Sequence, residues 1–187
     1  MTEKSFVETY SYYRHIHNDL EATARFLRDL SKERIESGDQ AGIAHLWRSA
    51  LIVSAFEFEA KVNCVGVIKL GEGWPEKAAT KSKVALLGKL YSSATDYGQP
   101  PLQTLGRLFN LRNLLAHGKP EIAEKKTRLI DDDPDLFGDL RSEWQDKITA
   151  EFVEAVARDI EAFWDDLLVK ANVSHFETTT RSHGSTG

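Results

Sequence analysis

The sequence predicts an all-α fold, a four- to five-helix up-down bundle, and three observations carry that prediction. Apolar residues return every three or four positions through most of the chain, the spacing that lines one face of a helix. Glycine and proline interrupt the pattern at places that suit helix ends. No stretch alternates apolar and polar residues as a half-buried strand would, and there is no internal repeat or glycine-rich phosphate loop.

The elements follow in order. Phe6, Tyr10, Tyr13, Leu20, Ala24 and Leu27 predict a helix over residues 4–36, stopped at Gly38. Asp39 is placed to cap a second helix reaching Leu70, with Trp47, Leu51, Phe58, Val62 and Val65 on one stripe. Gly71, Gly73 and Pro75 end it. A shorter helix over residues 76–93 carries Val84, Leu87 and Leu90. Gly98, Pro100 and Pro101 punctuate, and Pro101 suits the first turn of a helix that runs to His117, where Gly118 and Pro120 stop it. Residues 119–140, with the acidic run Asp131-Asp132-Asp133-Pro134-Asp135, read as a loop. Trp144, Ile148, Phe152, Val156, Ile160, Phe163 and Leu167 predict a last helix over residues 143–172. Residues 1–173 therefore read as one helical domain, and the polar residues 174–187 as a disordered tail.

Composition narrows the function classes. The chain has 187 residues, 41% of them apolar, enough for one sizeable core. A single cysteine, Cys64, excludes an internal disulfide and fits a reducing compartment, with the thiol a small core residue. Met1–Lys4 opens no apolar leader, and no apolar run nears the roughly 18 residues of a membrane span, so the sequence predicts a cytoplasmic protein without membrane contact. The net charge of −5 argues against general nucleic-acid binding, but its distribution is uneven. Between Arg107 and Arg128, six basic residues (Arg107, Arg112, Lys119, Lys125, Lys126, Arg128) face Glu121 and Glu124, a local +4. That patch suits RNA contact or a solvated basic loop.

Other clusters carry less. His15 and His17, one residue apart, would point to different sides of the first helix, and His45, His175 and His183 lack companions at ligand spacing, so no zinc site or other metal cofactor is expected. The acidic run lacks the glycine and distant glutamate of a calcium loop. Trp47, Trp144 and Trp164 fall on apolar stripes, whereas Trp74, in a Gly-Pro loop, is open to exposure.

The chemistry concentrates in Arg112-Asn113-Leu114-Leu115-Ala116-His117-Gly118. At about 100° per residue, with Arg112 at zero, Asn113 lies at about 100° and His117 at about 140°, neighbours on a polar face. Arg112 falls in the apolar arc beside Leu105 and Leu108. A cation there needs a carboxylate partner or a reach to the polar face, because an unpaired buried charge costs several kcal/mol. Glu59 on the second helix is the preferred partner and Glu57, beside Ser54 and Lys61 and read as solvated, the reserve. Histidine moves protons near neutral pH and arginine clamps phosphate through a planar fork of donors. The residues alone allow a structural reading too: Arg112 paired with Glu59, and a helix-end His117 bonded to Asn113.

The stretch resembles the Arg-x4-6-His signature of HEPN domains, all-α bundles found in ribonuclease toxins, antiviral effectors and RNA-processing enzymes. Asn113 occupies the polar position that follows the arginine in that family, and Gly118 ends the helix directly after the histidine. The segments Leu105–Leu111 and Ser54–Ala60 are also similar to family helices, in which a glutamate on an earlier helix often joins the site. The resemblance implies a HEPN-like bundle and a metal-independent endoribonuclease, in which attack by the ribose 2′-hydroxyl leaves a 2′,3′-cyclic phosphate. It implies Arg112, Asn113, His117 and Glu59 as catalytic residues, with Arg107, Lys119, Lys125 and Lys126 along the RNA. It further implies a homodimer, a setting of toxin–antitoxin or defence function, and an antitoxin or regulatory protein as partner. Members silenced by a nucleotidyltransferase commonly carry tyrosine two residues after the histidine, where this chain has Lys119. The alternative is a non-catalytic module of the same fold that binds RNA, nucleotide or protein.

Overall fold

The first described residues form a strand. In the computed structural model, which describes residues 8–120 and 142–186, Glu8–Tyr13 is β1 and the first helix, α1, spans Ile16–Glu36. The expected helix over residues 4–36 thus starts about three turns late. Thr9, Tyr10, Tyr12 and Tyr13 are good strand formers, and their backbone pairs antiparallel with β2 (Arg181–Thr186), Glu8 opposite Thr186 and Tyr13 opposite Arg181. His15 keeps extended backbone, φ −110° and ψ 101°, immediately before the helix.

Pairing with β1 also gives structure to the segment expected as a disordered tail. Ser174 caps a single 3-10 turn over His175–Thr178: its hydroxyl accepts the Glu177 N–H at 3.3 Å, and its own N–H donates to the Glu177 carboxylate at 2.8 Å. Polar residues here bond to backbone, so the segment is ordered without an apolar stripe. It is tied to the start of α1 by four bonds, one of them donated by the Thr180 hydroxyl to the His15 carbonyl at 3.4 Å. The His15 N–H donates to Thr180 Oγ1 at 3.0 Å, and the Asn18 amide donates to the Thr178 carbonyl at 3.0 Å and to Thr180 Oγ1 at 3.3 Å.

The remaining helices are α2 (Ile43–Leu70), α3 (Thr80–Tyr91), α4 (Leu102–Ala116), the single turn α5 (Glu143–Asp146) and α6 (Ala150–Ala171). The helical architecture predicted from apolar spacing is what the described residues form, with the β1–β2 ribbon as an addition. Two ends moved for local reasons. Asp39 does not cap α2; its carboxylate holds the Ala41 N–H at 2.9 Å in the preceding loop, and Gly42, at φ 73°, leads into the helix. The last helix is broken at Thr149, whose hydroxyl accepts the Phe152 N–H at 3.2 Å and restarts the helix as α6.

Helix α2 packs on α1, α3, α4 and α6. Phe58 sits where three of these meet, its ring 5.7 Å from Phe109 of α4 and 5.0 Å from Phe163 of α6. Around it lie Leu51, Val62, Leu105, Leu108, Ile160 and Leu167, all essentially without solvent contact. Trp74 is buried, correcting the exposure its loop position allowed. Its Nε1–H donates to Asn63 Oδ1 at 3.1 Å, and its ring lies where a side chain on Gly66 would be. Glycine at position 66 is therefore what lets the loop close back on α2.

Candidate functional site

Helix α4 delivers the Arg-Asn-His stretch to the surface end of the bundle. Leu102, Leu105, Leu108 and Leu111 bury one face of the helix, and this fixes the opposite face outward. Asn113 and His117 are exposed and Arg112 half-buried. His117 is the residue that ends the helix, its N–H donating to the Asn113 carbonyl at 3.0 Å. The Arg112 guanidinium lies 5.4 Å from the centre of the Phe56 ring and donates from Nη1 to Asn113 Oδ1 at 3.0 Å. Of the two options open to a cation in the apolar arc, Arg112 takes the second and reaches the polar face. With one donor used on Asn113, the guanidinium keeps further N–H donors for an anion.

The carboxylate expected to partner Arg112 is engaged elsewhere. Glu59 pairs with Lys83 of α3 at 3.6 Å, and Lys83 is only 2% exposed, so Glu59 supplies the charge that a buried ammonium needs. Glu57, read as solvated, is in fact buried and pairs with Lys61 at 2.8 Å. Among the described residues no carboxylate lies within ion-pairing distance of Arg112. The ion pair that Glu59 makes is thus with Lys83 and not with Arg112.

Two grooves flank the end of α4, with Leu114 in both. One, of about 320 Å³, is lined by Arg107, Asn110, Leu111, Leu114, Lys147 and Phe152. The other, of about 470 Å³, runs past Leu114, Gly118, Lys119, Pro120 and Trp144. Arg107 stacks its guanidinium 4.9 Å from the Phe152 ring and remains exposed, as does Lys119. Cations therefore stand on either side of the stretch. Lys125, Lys126, Arg128 and the acidic run at 131–135 lie outside the described residues.

A second polar cluster, unforeseen in the sequence, lies where α1 begins. Because His15 precedes the helix rather than belonging to it, His15 and His17 do not diverge. Their rings stand 5.7 Å apart, and both face Cys64 of α2. The Cys64 sulfur is 3.5 Å from His15 Nδ1. His17 is buried against Trp164, and burial, with Lys61 and His15 adding to it, pushes its imidazole down to about 4. Burial likewise pushes the Cys64 thiol up to about 11. Close by, Lys61 bridges Glu57 and, at 3.0 Å, Glu21. Burial raises the Glu57 carboxyl above its usual range against the pull of Lys61. At Glu21 burial acts the same way, but Lys61 and Arg25 outweigh it and the carboxyl ends below its usual range.

Against known proteins, the chain matches no family model, no curated protein and no solved structure.

Proposed function

We propose that the protein is a metal-independent endoribonuclease of HEPN type whose site is the exposed end of α4. The observation that carries this reading is the Arg112–Asn113 hydrogen bond over the Phe56 ring, one helical turn from the solvent-facing His117 and with cations on both flanks. A phosphodiester laid across this end would meet the guanidinium fork, and His117 would reach an oxygen bonded to its phosphorus. The ribose 2′-oxygen attacks phosphorus as its proton passes to a base. The bond to the 5′-oxygen breaks as that oxygen receives a proton from an acid. Arg112 stabilises charge growing on the non-bridging oxygens. One chain presents one histidine at this end, and two copies joined along the exposed Phe56 and Leu114 would supply base and acid together. Such a pairing would also let a carboxylate of one copy approach the other's Arg112. Toxin or defence service, with an antitoxin as partner, follows as the biological setting of this proposal.

The test is cleavage of a mixed-sequence RNA in EDTA by wild type and by His117→Ala. The expected result is cyclic-phosphate ends from wild type and a loss of about a hundred- to ten-thousandfold in the variant, the usual share of a proton-transfer group. His117 is exposed, so the variant should keep the wild-type melting temperature. Intact RNA bound tightly by folded, dimeric wild type would replace the enzyme by a binding module.

A further inference from the structure

We propose that His15, His17 and Cys64 form a binding site for a single zinc-class metal ion that clips the start of α1 to α2. The nitrogen and sulfur atoms these residues can offer all lie within 4.8 Å of one another. With zinc bonds of about 2.0–2.1 Å to nitrogen and about 2.3 Å to sulfur, tetrahedral angles place such a nitrogen and sulfur about 3.6 Å apart. The Cys64 sulfur and His15 Nδ1 stand 3.5 Å apart, close to that edge before any metal enters.

A second observation is independent of that distance. His17 is 2% exposed and delivers its ligand atom into the same cluster. An imidazole placed there on packing grounds alone is a poor choice, since the Trp164 ring and the neighbouring Lys61 favour an apolar residue. As a neutral metal ligand it fits. Binding replaces the Cys64 thiol proton, which leaves to solvent, and the resulting thiolate offsets one of the two positive charges of the ion. Lys61 and Arg181 are the cations facing the cluster. Lys61 is already neutralised by Glu57 and Glu21, and Glu21 also bears on His17, so the local field opposes the ion less than a count of cations suggests. Two imidazoles and one thiolate are donors that suit zinc or cobalt and discriminate against calcium and magnesium. Three protein ligands leave the fourth tetrahedral position to water or another small ligand.

Where the ligands sit defines what the ion would do. Residues 15 and 64 are far apart in sequence, and His15 is also where the segment after Ser174 is bonded on. The ion would hold α1, α2 and that segment at one point, adding its binding energy to folding.

The experiment uses the full chain, kept reduced and stripped of metal by a chelator that is then removed. It is titrated with Co2+ alone, then with Zn2+. One equivalent of Co2+ should give a thiolate-to-cobalt charge-transfer band together with the visible bands of four-coordinate cobalt. One equivalent of Zn2+ should erase both and raise the melting temperature. Cys64→Ser should lose the charge-transfer band. His15→Gln, which changes a half-exposed residue outside the helix, should keep the wild-type circular dichroism and bind Co2+ at least about tenfold more weakly, the lower end of what even an outer-shell loss costs. Folded wild type without the band, the same band in Cys64→Ser, or unchanged affinity in His15→Gln would each overturn the site. None of these readings depends on RNA cleavage, so this proposal and the nuclease stand or fall separately.

Discussion

At the end of α4 the polar groups face solvent. Asn113 and His117 are exposed, and one side-chain hydrogen bond and one aromatic face hold Arg112. At the junction of α1 and α2 the opposite holds: His17 and Lys61 are 2% and 4% exposed, and the latter is bound by two carboxylates. The first arrangement costs the fold little and is open to a large ligand. The second is costly to assemble, because each charge taken from water must find its partner in place. The difference separates two uses of polar chemistry, one presented outward by a helix terminus and one gathered inward by packing.

Substitutions in either region test this difference. The largest effect should fall on catalysis. Arg112→Lys keeps the charge but loses the planar fork, and we expect about a hundred- to thousandfold slower RNA cleavage at unchanged melting temperature, measured in single-turnover assays. Wild-type rates in that variant would remove Arg112 from the chemistry. Next comes Lys61→Ala, which strands Glu57 in the interior and should cost about 3–5 kcal/mol in urea unfolding, with far less effect on a nuclease seated at α4. The sign of its pH dependence follows from Glu57. Burial already raises that carboxyl, and losing Lys61 removes the main opposing pull. The folded state then takes up a proton more readily than the unfolded state, so the deficit of the variant should shrink as pH falls toward about 4 and grow as pH rises. A deficit independent of pH would show that Glu57 is not the stranded group. The smallest effect is expected from Thr180→Val, which removes the acceptor for the His15 N–H and should cost about 1 kcal/mol in the same assay.

The helices were legible because their signal is local. Leu105, Leu108 and Leu111 sit at helical spacing and are buried as that spacing requires. The outward placement of Asn113 and His117 follows from the same periodicity. Pairings between distant segments left no such trace. The strand at residues 8–13 exists through its pairing with residues 181–186: its tyrosines and Thr9 favour a strand but do not alternate strictly, and the partner segment viewed alone is a short polar run. The fate of Glu59 depended on Lys83, which the fold brings from α3, and that of Glu57, already beside Lys61 one turn along α2, on the helices that bury the pair. A helical wheel orders residues around one helix and says nothing about the neighbour. The divergence predicted for His15 and His17 fails for a related reason: it holds only within a helix, and α1 begins after His15.

The β1–β2 ribbon has a mechanical consequence. Residues 8 and 186 lie opposite each other at its open end, so tension applied between them loads the two strands as a zipper, one backbone pair at a time. The ribbon should peel apart in sequence at low force. The load would then come to rest on the small set of bonds joining His15 and Asn18 to Thr178 and Thr180. Beyond that point the pull reaches the packed helices. The ribbon thus acts as a fuse that shields the bundle from forces arriving along the chain.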